Sequence, residues 1–106
     1  MKNDISTNGA IEITTFRLLG NNSEDFIAAN ADIDEWLLRQ PGFRSRSITQ
    51  LSDGVIADIL IWASVADGTE AMHRIMAEMA HSPVHDMIDH NTVRWNCTHV
   101  LHGISV

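Results

Sequence analysis

A chain of 106 residues with 44% hydrophobic side chains is long enough for one globular domain and too apolar to remain disordered. Its formal charge of −7 argues against a nucleic-acid backbone or an anionic membrane surface as a partner. Cys97 is the single cysteine, which excludes an intrachain disulfide and suits a reducing compartment; the polar start shows no apolar stretch, so a cytoplasmic location is expected.

Residues 1–9 read as a loose polar arm ahead of a domain over 10–106. Ala10 to Leu19 is rich in β-branched residues and reads as the first strand. Gly20 to Ser23 is a turn in which Asn22 or Ser23 can cap a helix, and Glu24 and Asp25 suit its first turn. That helix is expected to run to about Arg39, because Phe26, Ala29, Ile33, Trp36 and Leu37 recur at spacings of three and four, with the polar Asn30 inside the stripe. Pro41-Gly42 ends it.

Phe43 to Leu51 is the second strand; strict alternation sets Arg44 and Arg46 on one face and Phe43, Ser45 and Ser47 on the other. Asp53-Gly54 is a hairpin turn into the third strand, which runs to Trp62 and is apolar on both faces, as a strand buried on both sides must be. Ser64, three residues before Asp67, is an N-cap for a second helix over about Val65 to Ala80, with a stripe of Met72, Ile75, Met76 and Met79. Ser82-Pro83 opens a short third helix that includes Val84, Met87 and Ile88. Asn91 to about Val100 is the last strand, with Val93, Trp95, Cys97 and His99 sharing one face.

The order β-α-β-β-α-β with a helical appendix defines an α+β, ferredoxin-like fold on an antiparallel sheet. Strands one and three are expected as central neighbours, here taken as a parallel pair, with strands two and four at the edges and the helices on one face. If Asp58 and Trp62 face the helices, then Ile11, Ile13, Thr15, Val55, Ala57, Ile59 and Ile61 line the other face. That surface is too apolar to leave in water, so a homodimer formed by two sheets face to face is expected.

The segments Glu12-Ile13-x-x-Phe16-Arg17-Leu18, Gln40-Pro41-Gly42-Phe43-x-Ser45-Arg46, Ile61-Trp62-Ala63-Ser64 and Ile88-Asp89-His90 carry a resemblance. Over residues 10 to 100 the chain resembles the antibiotic-biosynthesis monooxygenase family of the dimeric α/β-barrel superfamily. The resemblance implies a homodimer with a small-molecule pocket in each subunit, between sheet and helices. It also implies an activity: family members include cofactor-free oxygenases of polycyclic aromatic substrates and haem-degrading monooxygenases. The haem-degrading branch uses a Trp that matches Trp62, an Asn whose position is Phe16 here, and a His that falls near Asp89 or His90.

Asp58 is the sharpest residue. A carboxylate in an apolar strand needs a partner or a task. It is either a general base taking a proton from a phenolic or enolic substrate, or a structural carboxylate paired with Arg44, Arg46, Asn30 or a backbone amide. Trp62 suits a stacking wall for a flat aromatic ligand, whereas Trp36 and Trp95 read as core and interface. Asn30 can orient a ligand carbonyl, Phe16 and Met72 can wall the pocket, and His90 or His85 can carry protons at its mouth. His81, His85, Asp86, Asp89 and His90 cluster in sequence, but Pro83 breaks the His81–His85 spacing and no metal-binding signature is present, so no metal site is assigned. The leading expectation is a cofactor-independent monooxygenase acting on an aromatic or polyketide-like molecule, with Asp58 and His90 catalytic. The alternatives are a non-catalytic ligand-binding or regulatory dimer and, behind it, a haem-binding protein.

Overall fold

The computed structural model describes residues 9–20 and 22–106, so the expected arm lies outside the described residues except for Gly9. The elements are β1 (Ala10–Leu18), α1 (Ser23–Ala29), α2 (Ala31–Leu38), β2 (Phe43–Gln50), β3 (Ile56–Trp62), α3 (Val65–Glu78), a 3-10 helix (Pro83–Met87) and β4 (Ile88–His99). The four strands form one sheet in the order β2-β3-β1-β4. Every pairing in it is antiparallel, including β1 with β3, where Ala10 faces Trp62 and Phe16 faces Ile56. The expected parallel central pair is therefore wrong. The β2–β3 hairpin reverses the chain, so the strand that returns beside β1 runs against it.

Local chemistry fixes the element ends. Asn22 caps α1 by accepting from the Asp25 N–H at 2.8 Å, and Ser64 caps α3 by accepting from the Asp67 N–H at 3.1 Å. Gly54 takes a φ of +90° in the β2–β3 turn, which closes with the Gly54 N–H donating to the Leu51 carbonyl at 2.9 Å. Gly42 ends the α2 region at φ +79°, and a Cβ there would collide with the Asp67 carboxylate in the first turn of α3.

The single first helix expected from the stripe is broken in two at Asn30, whose ψ of 2° is not helical. The Asn30 side chain holds the break: its amide N–H donates to the Phe26 carbonyl at 2.9 Å, replacing part of the helical ladder. The stripe itself survives, with Phe26, Ile33, Trp36 and Leu37 all buried.

Two irregularities re-aim side chains. One extra residue at Arg44 shifts the β2–β3 register, so Phe43 faces Trp62 while Arg46 faces Leu60. Phe43 and Arg46 thus share the helix side, contrary to strict alternation. On the other edge, β4 advances five positions, from Asp89 to Arg94, while β1 advances two. Side-chain bonds hold this bulge: the Thr92 hydroxyl donates to the Asp89 carbonyl at 2.7 Å and accepts from the Arg17 N–H at 2.8 Å. The strand therefore begins at Ile88 rather than Asn91.

The core lies between the sheet and the helices. Phe16, Phe26, Ile33, Trp36, Leu37, Leu60, Trp62 and Ala71 form its centre, with Phe16 edge-on to Phe26 at 5.5 Å. The opposite sheet face carries Ile11, Thr15, Ile59 and Ile61 half-buried and Ile13 at 41% exposure. No helix among the described residues is long and apolar enough to cross a membrane.

Candidate functional site

A cavity of about 370 Å³ opens inside this core, between the sheet and the helices. The sheet supplies Glu12, Thr14 and Phe16 from β1, Arg46 from β2, Asp58, Leu60 and Trp62 from β3, and Val93 and Trp95 from β4. The paired helices α1 and α2 add Phe26, Asn30, Ile33, Trp36 and Leu37, and α3 adds Ala71, Met72, Ile75 and Met76. Val84, His85, Ile88 and His90 complete the wall, and the exposed His90 and Met76 mark where it meets solvent. The volume is in the range that encloses a small organic molecule. All seven residues singled out from the sequence, Asp58, His90, Trp62, Asn30, Phe16, Met72 and His85, border this one space. Trp36 and Trp95, read from the sequence as core and interface, border it too.

The polar groups fall into two separate arrangements. In the first, Arg46 is a hub. Its Nε and one terminal nitrogen donate to the two Asp58 oxygens at 3.0 and 2.8 Å, that same nitrogen donates to Asn30 Oδ1 at 2.8 Å, and the other donates to Asp34 at 2.8 Å. Arg46 and Asp58 side chains are only 10% and 14% exposed, so this is a buried, two-pronged pair. Burial works against the Arg46 charge, but bonding and charge from Asp58 and Asp34 outweigh it and hold the guanidinium above its ordinary value. Of the two roles open to Asp58, the geometry realises the ion pair, because both of its oxygens already accept from a cation.

In the second arrangement, Glu12 is 8% exposed and its bonded partners are neutral. The Trp62 indole N–H donates to Oε1 at 2.8 Å and the Trp95 indole N–H donates to Oε2 at 2.7 Å. Burial is the main influence on its acidity and raises it; the two indole bonds pull the other way, the nearby Asp58 charge adds to the rise, and Arg46 opposes it. Trp62 is locked in position by Gly68 on α3, where a Cβ would stand 2.9 Å from the indole and 2.8 Å from the Cys97 sulfur. Phe43 packs edge-on against the same ring at 5.5 Å. Burial, and after it the Glu12 charge, push the Cys97 thiol upward, so it is a poor nucleophile here.

The histidines stand at the rim. His85 Nε2 lies 2.8 Å from the Met79 carbonyl, and His90 Nε2 lies 2.8 Å from the His85 carbonyl. A carbonyl only accepts, so both Nε2 atoms carry a proton and each Nδ1 holds the lone pair when the ring is neutral. Among the described residues, no group of three or more His, Cys, Asp or Glu side chains gathers as a metal site.

Glu12 was not singled out from the sequence. Its neighbours Ile11 and Ile13 are assigned to the far face, but no role is drawn for the residue between them. The available signal was parity: Glu12 shares its face with Phe16, and the chain elsewhere sends Ile11 and Ile13 to the far side.

The chain thus has an α+β, ferredoxin-like fold, an antiparallel sheet covered by helices on one face around an apolar chamber, as expected from its element order. Compared by sequence, the chain matches no protein-family profile and no curated protein. Compared by structure, it is similar to a mutant form of SnoaB, a cofactor-independent oxygenase from Streptomyces nogalater, with 14% identity, a TM-score of 0.72, and 92% of this chain and 97% of that one covered. It is also similar to a protein of Nitrosomonas europaea assigned as an antibiotic-biosynthesis monooxygenase, with 15% identity, a TM-score of 0.70, and coverage of 90% and 92%. A protein of Shewanella loihica assigned as a monooxygenase aligns at 18% identity with a TM-score of 0.65, covering 90% and 96%. Identities this low carry the fold and leave the chemistry to the residues.

Proposed function

We propose that the chamber binds a flat aromatic molecule and that the protein is a cofactor-independent monooxygenase of this fold. The observation that carries this reading is the cavity of about 370 Å³ between sheet and helices, lined largely by apolar side chains and by three indoles, with two carboxylates in its wall. The chemistry needs little else. Removal of a proton from a ring-activated CH₂ leaves a delocalised carbanion that can reduce dioxygen itself. The substrate supplies all four electrons that O₂ takes up, so that CH₂ and O₂ become C=O and H₂O with no outside reductant.

In this reading Trp62 and Trp95 stack on the ligand, Phe16 and Met72 set the depth of the slot, and Asn30, held by Phe26 and Arg46, forms one edge of the wall. Asp58 with Arg46 forms a rigid polar corner, and His90, with His85 behind it, exchanges protons with solvent. The SnoaB likeness supports the reaction class only by analogy. A homodimer belongs to the same proposal, supported by the aliphatic far face of the sheet, and so does a cytoplasmic location, supported by the unpaired Cys97.

The test is oxygen uptake with anthrone, a tricyclic aromatic with a CH₂ between two rings, in chelator-treated buffer. The expected result is one O₂ consumed per ketone formed, and loss of turnover in Met72→Trp, which fills the slot. Binding of anthrone without uptake favours the non-catalytic ligand carrier. Neither binding nor uptake overturns the reading.

A further inference from the structure

We propose that Glu12, held between the Trp62 and Trp95 indoles, is the group in the chamber that accepts the proton of a bound hydroxyaromatic or enolisable molecule. This rests on the reading of the chamber as a site for aromatic ligands. The argument is one of bonding capacity. A carboxylate offers about four acceptor positions. Each Glu12 oxygen uses one of its own on an indole N–H, at 2.8 and 2.7 Å, and keeps the rest. Asn30 and Arg46 are committed elsewhere: the Asn30 amide donates to the Phe26 carbonyl and its oxygen accepts from Arg46, whose remaining nitrogens serve Asp58 and Asp34. Asp58 keeps as many open positions, but its charge is already met by Arg46, so within the walls the carboxylate that is both open and uncancelled is Glu12.

The indoles suit this task in a way that a guanidinium would not. Two neutral donors fix the carboxylate's orientation without cancelling its charge, so the oxygens stay basic toward a third donor. The proton balance is direct. The ligand's O–H or C–H bond breaks, an O–H bond forms on Glu12, and the ligand keeps the electron pair. Trp62 and Trp95 hold the resulting anion close by, and Glu12 can return the proton.

The titratable and charged groups around Glu12 are Asp58 on β3, Arg46 on β2, Cys97 on β4, and His85 and His90 at the rim. Any of these can add a pH dependence of its own, so the test isolates Glu12 by difference. The probe is 2-naphthol, whose hydroxyl stays protonated below about pH 9, near the phenol range. Its dissociation constant is measured by calorimetry across pH 4 to 9 on the intact protein and on Glu12→Gln. The expected result is wild-type affinity rising by roughly tenfold or more as Glu12 becomes a carboxylate, since bonds to a charged acceptor are the stronger ones, and no such rise in the variant.

A second variant, Trp95→Phe, keeps the ring and removes one N–H. It should move the midpoint of the rise to higher pH, because the carboxylate loses a donor that favours its charged form. The same rise in Glu12→Gln as in wild type overturns the assignment while leaving the chamber reading intact. No binding of naphthol to wild type at any pH overturns both. Should Glu12→Gln fail to fold, an unmoved midpoint in Trp95→Phe overturns the assignment alone.

Discussion

Asp58 and Glu12 stand on adjacent strands, face the same way and border the same cavity, yet the protein treats them differently. Asp58 meets a full positive charge: Arg46 grips both its oxygens and spends its other nitrogens on Asn30 and Asp34. Glu12 meets two indole N–H groups and, among the described residues, no hydrogen-bonding cation. A charge that is cancelled can be buried as part of the framework. A charge that is oriented by dipoles and left uncancelled keeps its free energy for something else. The second corner is the reactive one by this criterion, although the first is the one that looks reactive in the sequence.

The largest expected effect comes from uncancelling the first corner. Arg46→Leu leaves Asp58 buried without a counter-ion and strips a donor from Asn30. The loss should be about 3–5 kcal/mol in urea denaturation, the range for breaking one side of a buried pair. Adding Asp58→Leu should recover much of it, because an apolar replacement of both partners removes the unpaired charge. If Arg46→Leu costs less than about 1 kcal/mol, the pair behaves like a surface one and the contrast between the corners falls.

The two corners differ as much in legibility as in charge. Asp58 stands out because it interrupts an apolar run, and its ion-pair role with Arg46 was among the pairings the sequence allowed. What the sequence hid was the mechanism that brings Arg46 inward, the extra residue at Arg44, since a bulge has no reliable pattern of its own. The strand order, the Asp53-Gly54 turn, the Ser64 cap and the apolar stripes were readable because turn chemistry and periodicity act over a few residues. Glu12 was not, because its partners lie 50 and 83 positions away, and two tryptophans assigned separately to a pocket and an interface converge on it only in three dimensions. Asn30 sits between these cases. A polar residue in an apolar stripe was visible, but its side-chain bond to the Phe26 carbonyl, which holds the break between α1 and α2, was not.

The next effect in size sharpens the second corner. Gly68 lets α3 approach close enough to wedge Trp62, with the indole 2.9 Å from where a Cβ would be. Gly68→Ala forces the ring or the helix to move and should cost about 1–3 kcal/mol by overpacking, measured by thermal or urea unfolding. The more telling readout is the indole. Its N–H resonance, assigned by loss in Trp62→Phe, should shift as its bond to Glu12 lengthens, while Arg46 side-chain resonances stay in place. Equal shifts at both corners would mean that they form one network rather than two.

The smallest effect is the one that distinguishes a cancelled charge from an uncancelled one most directly. Burial raises Glu12 above its ordinary value of 4.5, so the folded protein holds that proton more tightly than the unfolded chain does. The sign follows from linkage. Between the unfolded and folded values the native state carries more protons, so stability falls as pH rises through that window and levels off above it. One group can tilt stability by at most about 1.4 kcal/mol per pH unit, and the tilt here should be shallower. Most paired carboxylates give the opposite slope, losing stability as pH falls. Subtracting the Glu12→Gln stability curve from the wild-type one removes what the other groups contribute and should leave a descending line above pH 4.5. An ascending difference would mean that the two indoles stabilise the carboxylate more than burial penalises it, and Glu12 would then be as quiet a residue as Asp58.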